Sequence, residues 1–146
     1  MPARPAAGTF LEMGDDTTGA VDIATDNMTE VALVTDIGGP EYSKGSIDAT
    51  HLRSTSKESI PDIPDGGETS LSLQMDGSQT THQNLEADAA SNAIRMRNFR
   101  ITWVDGSIRS FKGFVQSFSI SSATGAVVTG ECTLKISGDV TRTYPA

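Results

Sequence analysis

Two strand-like pieces of this chain are separated by a long stretch with no periodic pattern, and that interruption constrains the fold more than any other feature. An apolar run, Val31-Ala32-Leu33-Val34-Thr35-Asp36-Ile37, ends at Gly38-Gly39-Pro40, because a Gly pair followed by Pro cannot remain in a sheet ladder. A second extended piece follows, Ser46-Ile47-Asp48-Ala49-Thr50-His51-Leu52. Residues 53–67 are then polar, carry Pro61, Pro64 and Asp65-Gly66-Gly67, and read as one long loop. Alternation resumes with Thr69, Leu71, Leu73 and Met75 on one face. Structureless loops of this length are uncommon inside compact domains and are usually functional or disordered.

Length and composition fit one domain. A chain of 146 residues buries roughly two thirds of its unfolded surface without staples. With 36% hydrophobic and 5% aromatic residues, the core is expected to be thin and built from Val, Ile, Leu and a few Phe. A partner covering its faces would then add stability as well as function. The lone Cys132 excludes an intrachain disulfide and a multi-cysteine zinc site and is expected to pack as a small apolar residue. No run has signal-peptide or membrane-span character, so the chain reads as soluble and cytoplasmically made.

The formal net charge is −8, which argues against a protein that grips nucleic acid, since that requires clustered Lys and Arg. The distribution is asymmetric. Between Pro5 and Ser43 lie Glu12, Asp15, Asp16, Asp22, Asp26, Glu30, Asp36 and Glu41 with no basic residue, whereas Arg95, Arg97, Arg100, Arg109 and Lys112 surround Asp105 alone. Either these are solvated surfaces, or an acidic and a basic face meet between copies; complementary potentials set register and orientation more than affinity.

Taken in order, residues 1–8 read as a flexible arm and residues 9–139 as one β domain. Thr9 to Met13 start a strand; Val21 and Ile23 suggest a short edge strand; Met28 to Ile37 read as a single strand with Val31, Leu33 and Ile37 on one face. Residues 79–90 contain no Gly or Pro and many helix formers, with Ser78 as N-cap and Leu85, Ala89 and Ala93 on one face. Phe99, Ile101 and Trp103 alternate up to a hairpin turn at Asp105-Gly106. In the return strand, residues 107–121, apolar side chains occupy both phases. That implies either a bulge at Gly113 or burial of both faces, one against another subunit. Residues 128–137 close the domain with Cys132, Leu134 and Ile136 inward, and residues 138–146 read as a loose tail. The fold class is mainly β, a barrel or sandwich of antiparallel strands flanked by one short helix.

Catalytic chemistry finds no foothold. His51 and His82 lack a second ligand at metal spacing, and no nucleophile elbow, phosphate loop or dinucleotide fingerprint occurs. Glu131 and Cys132 are neighbours on a strand and point to opposite faces. Trp103 alternates with core residues and reads as core. No catalytic, cofactor-binding or metal-binding residue is expected, and the chain does not read as an enzyme.

The succession Val34-Thr35-Asp36-Ile37, Gly39-Pro40, Ile47-Asp48-Ala49-Thr50-His51-Leu52, Ile60-Pro61 and Asp65-Gly66-Gly67-Glu68 resembles the signature of major tail tube proteins of long-tailed bacteriophages. The likeness extends over residues 8–139 through Thr81-His82-Gln83-Asn84-Leu85, similar to that family's helix, and Phe99-Arg100-Ile101-Thr102-Trp103-Val104-Asp105-Gly106, similar to its hairpin. Lys57-Glu58-Ser59 depart from the bulkier residues common there.

The resemblance implies a structural virion protein that forms stacked hexameric rings, with DNA passing unbound through the lumen. It implies a place in the tail of a phage or gene transfer agent particle, with tape-measure and terminator proteins as partners and neither cofactor nor membrane. Type VI secretion tubes share this fold. On this reading the long loop bridges rings through Arg53, Ser54, Lys57, Glu58, Ile60, Pro61, Asp65 and Gly66. Glu68, Ser70, Ser72 and Gln74 line the lumen or face bulk solvent, and Arg97, Arg109 and Lys112 supply charges between subunits. A non-phage β-barrel binding module, a secretion-type tube protein and a hydrolase with an acid pair remain alternatives.

Overall fold

The computed structural model describes residues 8–53 and 55–145. Most of the expected N-terminal arm, Ser54 and Ala146 therefore lie outside the described residues. The strand-like segments pair into a seven-stranded antiparallel sheet in the order β2 (Met28–Glu30), β1 (Phe10–Gly14), β7 (Arg97–Thr102), β8 (Ile108–Ser121), β9 (Thr129–Thr143), β6 (Glu68–Gln74) and β3 (Val34–Gly38). β4 (Ser43–Asp48) and β5 (Ser59–Asp65) form a separate two-stranded ribbon. One helix, α1 (Thr80–Ala90), packs against β8.

Register divides the sheet into two layers. The β7 ladder on β8 stops at the Arg97–Gly113 pair, and the β6 ladder on β9 stops at Glu68–Lys135. Residues 108–113 of β8 therefore continue into β7, β1 and β2, while residues 114–121 lie in a four-stranded part with β9, β6 and β3. Leu11, Met13, Phe99 and Ile101 from the first part share one core with Leu71, Leu73, Cys132 and Leu134 from the second. The Phe99 and Phe111 rings stack with centroids 5.7 Å apart, a contact worth about 0.5–1.5 kcal/mol beyond its burial. The result is the sandwich of antiparallel strands with one flanking helix that the sequence implies; its sheet is rolled rather than closed.

The stretch from Met28 to Ile37 departs from the single strand expected. Met28–Glu30 pairs with β1 at one edge of the sheet and Val34–Gly38 with β6 at the other. Only residues 31–33 join them, which forces the two edges together. Leu33 turns the chain with φ 58 and is 48% exposed rather than sharing a face with the buried Val31. The Val31 amide donates to Leu11 O (2.8 Å), and Leu33 O accepts from the Gln74 amide (2.9 Å). Ala32 O receives His82 Nε2 from α1 at 2.6 Å, while His82 Nδ1 accepts the Asp76 amide at 3.1 Å. The amide at Nδ1 assigns the proton to Nε2. His82 is thus a packing histidine, fully buried.

Other differences have local causes. Ser59–Asp65 is a strand despite its two prolines, so the long loop contracts to the ribbon's tip. β9 runs on to Thr143 because Gly138 (φ 84) resets its register and residues 141–143 pair with β8; the expected loose tail is mostly strand. The chain around Val21 and Ile23 is a turn-rich segment held by Asp16, which accepts from Thr18 and the Val21 amide. Gln79, not Ser78, is the N-cap, since Ser78 is committed to Asp76 Oδ1. Ala93 lies beyond the helix, which ends at Ala90. Gly113 is itself in register. The irregularities fall on either side, between Ser110 and Lys112 and between Val115 and Ser117. A Cβ at Gly113 would stand 2.4 Å from Lys135 O.

Candidate assembly surfaces

No group of three or more His, Cys, Asp or Glu able to hold a metal occurs among the described residues. His51 lies 3.8 Å from Glu58 at the ribbon's exposed tip. Cys132 is buried beside an exposed Glu131, on opposite faces as alternation requires. Burial, with a smaller contribution from the Asp88 charge, pushes the Cys132 thiol up to about 12. What the fold displays instead are faces and edges.

The solvent-facing side of the four-stranded part is polar. Glu68, Ser70, Ser72 and Gln74 stand beside Lys135, Thr133, Glu131 and Thr129 of β9. Across β9 these meet Phe114, Ser117, Ser119 and Ser121 of β8, and Asp36 of β3 pairs with Ser72. The four residues expected to share a face do so, backed by buried Thr69, Leu71 and Leu73. Hydroxyls dominate, and Asp36, Glu68 and Glu131 outweigh Lys135.

Among the described residues this part also has two unpaired edges. Residues 114–121 of β8 pair with β9 alone, and β3 is the last strand on the other side. Strands alternate in direction across an antiparallel sheet, so the first and last of four run oppositely. Laid edge to edge, successive copies would continue the same antiparallel alternation. The backbone groups on such edges seek partners.

The ribbon buries almost nothing in its own subunit: every residue of β4 and β5 is exposed. Ile47 faces Ile60 across it, and Ile63 is 83% exposed. Of the loop residues expected to make contacts, Arg53, Lys57 and Glu58 are at the tip and Ile60 and Pro61 in β5. Asp65 and Gly66 form the base instead. Asp65 accepts the Gly67 amide at 2.9 Å and lies 3.7 Å from Lys135; that amide, then the lysine, hold its carboxyl below the ordinary value. Gly66 is packed so closely that a Cβ would meet Ile136 Cγ2 at 2.9 Å.

The expected inter-subunit charges prove to be engaged within the chain. Arg97 is 4% exposed and bound to Asp88 of α1 and to Gly14 O. It is a core ion pair rather than a surface charge, because β7 points it inward in phase with Phe99 and Ile101. Lys112 Nζ donates to Gly19 O at 2.6 Å, pinning the turn-rich segment. Arg109 is half-buried against Trp103 and Tyr144. The sequence reading missed Asp88, whose role no spacing announces.

A family model described as phage tail tube, lambda-like, matches residues 16–110. The chain belongs to the lambda-like phage tail tube family. No curated protein resembles it closely enough to count as a match. Among solved structures, this tail tube chain is similar to a sheath/tube terminator of an extracellular contractile injection system (TM-score 0.73, 12% identity, 98% of each chain). It is similar also to the tail of an empty gene transfer agent particle refined with C6 symmetry (0.66, 14%, covering 91% of this chain and 95% of that one). The SPP1 tail tube is another neighbour (0.66, 11%, 97% and 80%). At such identities the likeness shows a shared fold, and the tail tube family supplies the structural role.

Proposed function

We propose that copies of this chain assemble into stacked hexameric rings that form the hollow tail tube of a phage or phage-like particle, with DNA delivered through the lumen. The observation that carries this reading is the ribbon. An isolated two-stranded hairpin is marginal in water, and this one leaves Ile47, Ile60 and Ile63 exposed. A partner surface on the adjacent ring would cover them. Within a ring, residues 114–121 of one copy would pair with β3 of the next, abolishing both open edges. Six-fold closure is the symmetry named for the gene transfer agent tail. The polar face of β6 and β9 would then line the lumen, where excess carboxylates keep DNA from sticking. Tape-measure and terminator proteins are the further partners, and synthesis is in the bacterial cytoplasm.

Negative-stain microscopy of the purified protein tests this directly, with rings or tubes expected. Deleting residues 54–60 should leave a folded subunit that no longer stacks. Tubes formed by the deletion variant would remove the ribbon as the bridge, and a monomer at every concentration would remove the reading.

A further inference from the structure

The turn-rich segment roofs the outward face of β7, β8 and β9, and a cavity lies beneath it. Register sets Asn98 opposite Lys112 and Lys112 opposite Ser137; in the next outward row Ser110 lies opposite Thr141. Directly opposed residues share a face, so these side chains stand on the side away from Phe99, Ile101 and Phe111. Two bonds pin the roof to that side: Lys112 Nζ donates to Gly19 O at 2.6 Å, and Asn98 Nδ2 donates to Val21 O at 3.0 Å. Asp22 of the roof and Asp139, in the irregular stretch of β9 after Gly138, complete the walls of a cavity of about 270 Å³.

One atom under this roof lacks a partner. Asn98 is 1% exposed, and its Nδ2 is engaged by Val21 O and by Asp26 Oδ2 at 2.9 Å, which fixes which arm of the amide is oxygen. Oδ1 is buried with no hydrogen-bond donor among the described residues. Asp26 lies on the β1 side, so near Gly14 that a Cβ there would collide with it. The oxygen arm is therefore turned the other way, toward β8 and the cavity that Asn98 lines. A buried acceptor left unpaired is destabilising, so this oxygen calls for a donor or a cation. Among the described residues neither Asp22 nor Asp139 has an ion pair.

We infer that this cavity is a calcium site, in which one ion joins Asp22 of the roof to Asp139 of β9 and takes Asn98 Oδ1 as its buried ligand. The walls offer carboxylate, amide and hydroxyl oxygens and neither sulfur nor imidazole, which is the donor set of a hard cation. Calcium accepts about six to eight oxygens in irregular arrangements and shares them with water, whereas magnesium demands a near-ideal octahedron. The cavity has room for the ion and several waters. Lys112 is no obstacle, because its ammonium is turned to Gly19 O and Asp16 and Asp26 add negative charge to the same roof. With two carboxylates, both exposed, the site is a weak one, with a Kd of about 0.1–1 mM. The roof's two pins reach β7 and β8; the ion adds β9.

Calorimetric titration of the EDTA-stripped full chain with calcium chloride tests it. One ion per chain is expected, with magnesium bound at least about tenfold more weakly. Asp22→Asn and Asp139→Asn change exposed side chains and should each weaken calcium binding at least about tenfold, a loss typical even of outer-sphere partners. Glu30→Gln, an exposed carboxylate outside the cavity, should leave it unchanged. Calcium at about 10 mM should also raise the melting temperature of the wild type and not that of D22N/D139N. No binding by the wild type, or equal weakening by all three single variants, which would mean diffuse screening of an acidic chain, would overturn the site. Undiminished binding in either D22N or D139N would overturn the bridge between roof and strand, and magnesium bound as tightly would overturn the assignment to calcium.

Discussion

Asp88 of α1 and Arg97 of β7 form an ion pair with side chains 2% and 5% exposed, joining the only helix among the described residues to the middle of the sheet. Arg95 adds a second donor to Asp88 at 3.3 Å, and Arg97 Nη1 reaches Gly14 O at 2.8 Å. Removing one member strands a buried charge, so Asp88→Ala should cost about 3–5 kcal/mol. The double replacement D88A/R97M should cost much less than the sum of its parts. Urea denaturation of the single and double variants measures both.

Cys132 should be chemically silent in the folded subunit. With its thiol pushed up to about 12 by burial, almost no thiolate exists at pH 8, and the group is 2% exposed. A chromogenic thiol reagent should react only as fast as the protein unfolds, so adding urea should accelerate labelling. The raised value also means that this thiol favours the folded state fully below the unfolded pKa near 9.0. That advantage is lost as pH rises toward the folded value.

Asp65 makes the ribbon's base acid-sensitive. Its carboxyl is depressed by the Gly67 amide and then by Lys135, so the favourable contribution is present above the unfolded value of about 3.8 and disappears as pH falls through the lower folded one. Exchange of the Gly67 amide with deuterium, corrected for intrinsic rates, should therefore lose protection below pH 4. Asp65→Asn should show the loosened base already at pH 7, with a flatter pH profile.

Leu33 is held in a left-handed backbone, φ 58, that suits glycine. Leu33→Ile, β-branched, should destabilise by about 1–3 kcal/mol, and Leu33→Gly should be neutral or stabilising. A thermal melt that ranks Ile above Gly would show that the turn is set by the half-exposed side chain rather than by the backbone.

For the lumen, Glu68→Lys with Gln74→Lys alters residues on the polar face without touching Leu71 or Leu73 behind them. Tubes should still form, and DNA ejection from complete particles should slow because cationic walls hold phosphates. Normal ejection from particles shown to contain the variant would remove this face from the DNA path.

Where burial alternates cleanly the sequence was readable. β6 shows strict alternation from Glu68 to Gln74, the Asp105-Gly106 hairpin shows its positive φ at Gly106, and the helix lies within one residue of its expected start. Legibility failed where a non-local partner decides. Nothing in Val31-Ala32-Leu33 marks a turn, since the conformation is imposed by β1, β6 and His82, each distant in sequence. Pro61 and Pro64 argued against a strand, yet a ribbon paired on one side only tolerates missing donors. Arg97 read as surface charge because a sequence cannot show that Asp88 waits nine positions earlier beneath the sheet. That Glu68, Ser70, Ser72 and Gln74 share one face was legible, whereas the gathering of Tyr42, Trp103 and Tyr144 about Arg109 and Arg142 was not, because it arises only through the rolled topology.

The link at residues 31–33 has a mechanical consequence. Glu30 and Val34 are four residues apart in the chain and can span at most about 14 Å, so the adjoining ends of β2 and β3, edge strands of opposite layers, cannot separate by more. A pull applied at β3 is passed at once to β2, and through its ladder to β1. The subunit therefore resists tension as a hoop although its hydrogen-bonded ladder is open, and stretching can yield only when Val31 releases Leu11 or His82 lets go of Ala32.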